Sequence, residues 1–262
     1  MSEARLTHVG GPTLLIEVGG WRILTDPTFD PPGGRYNFGW GTSSRKTAGP
    51  ALAAEEVGPL DAILLSHDQH EDNLDAAGRR LLPSVATVVT TAPGARRLGA
   101  NAVGLGPWET TTLEAADKPR VKVTATPCRH GPPLSKPIVG EVIGFGLAWE
   151  GQTAGELWIS GDTVLYPGVA AVADRLEIGT AIVHLGGVRF PISGPLRYTM
   201  TGTEAAELCR RIAPATVVPI HYDGWTHFRE PRPAAESELA TGLAGGAKVT
   251  WLEPGVPAAI TI

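Results

Sequence analysis

No run of apolar residues approaches the roughly 18 that a membrane-spanning helix needs. The opening "MSEARLTHVGG" also lacks a basic start, an apolar stretch and a small-residue cleavage site. A cytoplasmic protein is the expectation. Cysteine is scarce: Cys128 and Cys209 stand far apart, too few to staple 262 residues, and neither is half of a Cys-x-x-Cys pair. There is no block of Lys and Arg, and the net charge of -5 argues against nucleic acid as an electrostatically driven partner. A serine nucleophile elbow is missing, and the glycine runs "VGG" and "PPGG" lack a phosphate-loop pattern. Serine-based catalysis and nucleotide binding are therefore poor readings.

What is present is an ordinary globular composition, 42% hydrophobic and 19% charged, in a length that suits one domain spanning 1–262. Short apolar or β-branched runs bounded by Gly, Pro, Asp and Asn predict strands at 13–18, 21–25, 61–66, 87–91, 121–126, 142–149, 156–160, 180–183, 216–220 and 248–252. Helices are expected at about 169–176, 201–214 and 233–243, the second opening on the capping-box pair Thr201 and Glu204 and stopping at Pro214. A meander of strands followed by strand–helix alternation predicts an α/β layered sandwich. The stretch "FDPPGGRYNFGWGTSSRKTAGP" is rich in Pro and Gly and is expected to be a long loop, with 31–50 able to cover a site.

Polar residues fall at telling places on this skeleton. Apolar strands stop just before His67, His130, Asp162, His184 and His221. In open α/β sheets ligands bind beyond the carboxyl ends of strands. If these strands share a sheet, the four histidines reach one rim. The segment "LSHDQHEDNLD" then places two histidines and four carboxylates within residues 65–75, a density that folding alone does not require. A single His after a strand is usually a hydrogen-bonded loop residue, but neutral imidazoles and carboxylates gather in such numbers chiefly around a cation. A metal site is the favoured reading.

"SHDQHEDNLD" resembles the His-x-His-x-Asp-His signature of the metallo-β-lactamase superfamily, and "TPCRHGP", "ISGDT" and "VPIHYDGWTHF" resemble its later metal stations in the same order. The branch it looks most like contains L-ascorbate-6-phosphate lactonase and N-acyl-phosphatidylethanolamine phospholipase D. The resemblance implies a four-layer αββα sandwich with one or two divalent metals, Zn²⁺ or Mn²⁺, at one edge between the sheets. It implies that His130 completes the first metal's ligands, that Asp162 bridges, and that His221 binds the second metal. Asp26 in "TDP" would support the site from behind, and His184 in "HLGG" would line the pocket.

The signature does not fit cleanly, and three alignments compete. Counting from His67 puts Gln69, Glu71 and Asp72 at the later stations. Counting from Asp68 gives Asp68, His70, Asp72 and Asn73. A loop one residue longer matches both flanks and recruits His67, His70 and Asp72, with Asn73 in place of the last histidine. The third is preferred, with Asp68 and Asn73 as additional candidate ligands. Because an amide oxygen is a weak, hard ligand, one metal is expected to be tight and the second weak, absent or an oxygen-preferring ion.

The reaction class implied is hydrolysis, by a metal-bound hydroxide, of a small ester, lactone or phosphoester, with Asp72 and Asp162 orienting the nucleophile or taking its proton. Arg129, Arg189 and Arg197 could hold an anionic group on a small-molecule substrate, or could be surface ion-pair residues. Tyr222, Trp225 and His227 follow His221 closely and are candidates for a pocket wall, or for packing beneath the loop. The competing reading is a metal- or ligand-binding family member that has lost or altered catalysis at Gln69 and Asn73; a nuclease is disfavoured by the acidic balance. The sequence leaves the oligomeric state open, a homo-oligomer included.

Overall fold

The strand "IGTAIVH" is buried at every position. A strand without an exposed face must be covered on both sides, and that requirement organises the molecule. The computed structural model describes residues 3–39 and 41–262. The first sheet contains β1 (Glu3–Gly10), β2 (Thr13–Val18), β3 (Trp21–Thr25), β6 (Ala62–Leu64), β7 (Thr87–Thr91), β8 (Ala102–Leu105) and β16 (Ala258–Thr261), in the order β16-β1-β2-β3-β6-β7-β8. The second contains β9 (Thr110–Leu113), β10 (Val121–Pro127), β11 (Ile143–Trp149), β12 (Glu156–Ile159), β13 (Ile178–His184), β14 (Thr216–Ile220) and β15 (Lys248–Val249), in reverse order from β15 to β9.

Three apolar layers hold this arrangement. Leu6, Ile16, Ile23, Val123, Phe145 and Ile182 meet between the sheets. Helices Gly202–Ile212 and Arg232–Gly242 cover the outer face of the second sheet through Ala205, Leu208, Cys209 and Leu239. Leu15, Leu24, Ile63, Leu74 and Val88 pack on the outer face of the first. The αββα sandwich is thereby met. Among the described residues no helix is long and apolar enough to cross a membrane.

Topology explains why the polar strand ends share one rim. Strands β3, β6, β7 and β8 are parallel, as are β12 to β15. Strands β10 and β12 are both antiparallel to β11, so they run the same way. The residues just beyond β10, β12, β13 and β14 therefore emerge together. Main-chain hydrogen bonds from Ile143 N to Ser66 O (3.2 Å) and from His221 N to Gly11 O (2.9 Å) join the two sheets at that rim.

Three local expectations need correction. The supposed loop within 31–50 contains a two-stranded hairpin, β4 (Arg35–Gly39) and β5 (Thr42–Arg45). Arg35 and Asn37 are exposed while Tyr36 and Phe38 turn inward, a period of two masked by the flanking Pro and Gly. The expected helix at 169–176 is one α turn, Pro167–Ala170, followed by a 3₁₀ turn, Ala171–Asp174. The strand expected at 248–252 is limited to Lys248–Val249.

Candidate metal centre

The dense segment divides its labour. Asp68 points away from the rim, where Arg97 donates to both of its oxygens (2.5 and 2.7 Å), so its carboxylate is already engaged. Asp75 accepts from the main-chain nitrogens of Phe29, Asp30 and Gly78 and pairs with buried Lys46 at 2.9 Å. Two of the four carboxylates thus serve folding after all. Gln69 is exposed and Glu71 half-buried, which disfavours the alignment that makes them ligands.

The remaining residues converge. His67 Nε2 and His70 Nδ1 face each other at 3.0 Å, and the His130 ring lies 5.4 and 5.1 Å from theirs. His130 Nδ1 lies 2.9 Å from the Tyr198 carbonyl, which can only accept, so Nδ1 carries the proton and Nε2 keeps its lone pair. Burial, and then the neighbouring imidazoles, push His67 well below the usual histidine range and His70 down to about 4. Three imidazoles with converging nitrogens make a nitrogen-rich cradle.

Beside it, Asp162, His184 and His221 form a second cluster, all fully buried. Gly161 places Asp162: its backbone is left-handed (φ 62°), and a Cβ there would sit 2.6 Å from the Ile143 carbonyl. His184 Nδ1 is 2.8 Å from Asp162 Oδ1, and His221 Nε2 lies 3.6 Å from Asp162 and 3.8 Å from Asp72. His221 itself is left-handed (φ 58°), an unusual backbone for a residue with a side chain and one found at functional sites. Burial opposes charge on all of these; it prevails at His184, whose pKa is lowered, while attraction prevails at His221 and the carboxylates. His221 is raised to about 9 by Asp162 and Asp72, and both carboxylates fall below their usual range.

His227 completes the wall: its Nε2 lies 3.0 Å from Asp72 Oδ2, while Nδ1 meets Ser44 Oγ. Asp26 sits behind, fully buried, accepting from Ser66 N at 2.7 Å, with its pKa raised by burial. Asn73 turns its amide toward Ser66 Oγ (3.5 Å). Tyr222 faces Trp251 and His8, away from the cavity, and Trp225 packs under Tyr36 and Lys46.

Aromatic residues that the sequence did not single out close the site. Phe38, Phe190, Tyr198, Ile138 and Val139 line a cavity of about 30 Å³ with His70, Asp72, His130 and His227. Phe190 stacks on His227 at 5.1 Å, and Phe38 meets His70 and His227 edge-on. A larger cavity of about 220 Å³ lies on the other side of His130, with Arg129 and Lys136 in its lining. Arg129 stacks on Tyr166, Arg197 pairs with Glu204, and Arg189 lines neither cavity.

Buried atoms without a hydrogen-bond partner test whether a cation fits. Asp72 Oδ1, Asp162 Oδ2, His184 Nε2 and His221 Nε2 are all in this state. Buried polar atoms are normally satisfied, so a concentration of orphans among ligand-type residues matches a cation's needs.

The profile of a family described as the beta-lactamase superfamily domain matches residues 21–222. The chain belongs to the metallo-β-lactamase superfamily. Within the superfamily it is 26% identical over 258 residues to a metal-dependent hydrolase of Caldivirga maquilingensis, covering 95% of each chain. It is 27% identical over 259 residues to one of Pelotomaculum thermopropionicum, covering 96% of this chain and 97% of the other. Its fold matches that of a possible metal-dependent hydrolase from Veillonella parvula with a TM-score of 0.80 at 17% identity, covering 98% and 99% of the two chains.

Proposed function

We propose that this superfamily member is a metal-dependent hydrolase of a small ester or lactone whose scissile group is uncharged. The observation that carries the reading is the meeting of two buried ligand clusters with orphaned atoms at one sheet rim. His67, His70 and His130 would hold one divalent cation, a nitrogen set that suits Zn²⁺. Asp72, Asp162 and His221 would hold a second, whose oxygen content admits Mn²⁺. When bound, such cations lower the pKa of a coordinated water and polarise the group under attack.

The chain's own residues do the rest. Asp72 has one oxygen held by His227 and the other free, so Oδ1 is the atom it would offer to the cation while His227 fixes the carboxylate's orientation. Its lowered pKa suits orientation better than proton storage. Phe38, Phe190 and Tyr198 exclude water from the smaller cavity. No Lys or Arg lines that cavity, which favours a neutral carbonyl over a phosphoryl dianion; an anionic tail would have to reach Arg129 across His130.

The test is to strip the protein, reload it with Zn²⁺ or Mn²⁺, and compare paired aryl carboxylate and aryl phosphate esters and a lactone. The expected result is turnover of a neutral member of the set, falling about 100-fold or more in His130→Ala. Retention of no metal after both ions are offered would overturn the reading and leave a non-catalytic relative.

A further inference from the structure

The loop that supplies His67, His70 and Asp72 carries Asn73 at the station where the superfamily signature ends in histidine; its Nδ2 leans toward Ser66 Oγ at 3.5 Å, and its buried Oδ1 has no hydrogen-bond partner, so the loop offers an amide oxygen there and no imidazole. The imidazole missing from the loop has a counterpart on the opposite sheet. His184 ends β13 beside the end of β14, the two strands being parallel with His184 opposite Ile220. Its ring stacks on that of His221 at 5.3 Å and 19°. We propose that His184 is a direct ligand of the cation in the carboxylate half, replacing the histidine that the loop has lost. The inference rests on the metal-site reading above.

Tautomer chemistry supports a ligand over a mere neighbour. If the proton sits on Nδ1, it is donated to Asp162 Oδ1 at 2.8 Å, and Nε2 is left as a buried lone pair with no partner. If it sits on Nε2, that N–H is the orphan, and two lone pairs on Nδ1 and Asp162 face each other across 2.8 Å. A cation held at the unprotonated nitrogen would supply the partner that this lone pair lacks in either tautomer. Relocation from a loop to a strand end also keeps the imidazole count of the second site, so Asn73 need not weaken it.

The experiment measures cation stoichiometry by elemental mass spectrometry, with Co²⁺ absorption as a second readout, in the wild-type chain, His184→Asn and His184→Asn/Asn73→His. Asn can still donate to Asp162 from the position of Nδ1, so a purely orienting role predicts unchanged binding. The ligand role predicts two cations per chain falling to one in the single variant and returning to two in the double. Two cations in His184→Asn with an unaltered Co²⁺ spectrum would overturn the inference and leave the hydrolase reading standing. No cation in the wild-type chain would overturn both. Should the variants misfold, ¹⁵N-histidine NMR of the wild-type chain loaded with ¹¹³Cd²⁺ decides: metal–nitrogen splitting at His184 as well as His221 supports the assignment, and splitting at His221 alone overturns it.

Discussion

In one half of the cavity His67, His70 and His130 face one another, and none of them hydrogen-bonds a carboxylate. In the other, Asp72 and Asp162 are laced to His184, His221 and His227. The first half bears burial by shedding protons: His67 and His70 are pushed down and carry no charge to neutralise. The second bears it by keeping charge in pairs, with His221 raised to about 9 as the cation its carboxylates lack. Ligand residues of similar kind, a few ångströms apart, therefore stand on different electrostatic footings. Neutral groups tolerate the loss of a neighbour; paired charges do not.

The sharpest way to break this comparison uses metal-free protein. Asp162→Asn should destabilise it by about 3 kcal/mol, since it strips His221 and His184 of their buried partner. His70→Asn, which relieves crowding among neutral rings, should change stability by less than about 1 kcal/mol. Denaturant midpoints of the two stripped variants would decide it, and equal costs would mean that the two halves do not differ in this way.

A smaller effect is expected at the aromatic wall, which touches both halves. Phe38 contacts His70 on one side and His227 on the other. Phe38→Ala should raise KM for a neutral ester about 10-fold, the loss of roughly 1.4 kcal/mol of contact, while leaving metal content unchanged. A loss of metal in this variant would show that Phe38 holds the ligands and not the substrate.

The smallest effect lies behind the carboxylate half. Glu230 accepts from Gly202 N at 2.8 Å and donates its own main-chain N–H to Gly186, just beyond His184. Burial, reinforced by Glu238 and Glu204, raises it to about 7 from the ordinary 4.5 of a glutamate. A raised acid favours the folded state when protonated, so its contribution is complete below pH 4.5 and is lost as pH rises through 7. Glu230→Gln should therefore match the wild type near pH 4 and exceed it by about 1 kcal/mol at pH 8, read as a difference in Tm. An equal difference at both pH values would place the effect in packing and not in charge.

Much of this arrangement was legible in the sequence because apolar strands announce their ends. The strands before His67, Asp162, His184 and His221 are covered on both faces, so their apolar runs are unbroken and the first polar residue marks the rim. Strands at sheet edges were less visible: β9 alternates and went unpredicted, and β15 is shorter than the run that announced it. The wall of Phe38, Phe190 and Tyr198 had no signal, because aromatic residues separated by more than 150 positions meet only through the fold. Asp68 and Asp75 misled for a related reason: a carboxylate bound to Arg97 or to main-chain nitrogens looks the same in a sequence as one that waits for a cation.

The main-chain hydrogen bonds between Ser66 and Ile143 and between Gly11 and His221 close the rim from both sides. Such a mouth cannot widen by the two sheets breathing apart without breaking buried contacts beside the reacting residues. Traffic must instead pass where the cover is light. The β4–β5 hairpin belongs to neither large sheet, and two strands by themselves are only marginally stable in water. It is tethered through the Lys46–Trp225 bridge and Thr226 while carrying Phe38 at the mouth. Admission and release would then be set by how readily that one flap lifts, with Ser44 on β5 tying its movement to His227 and so to Asp72.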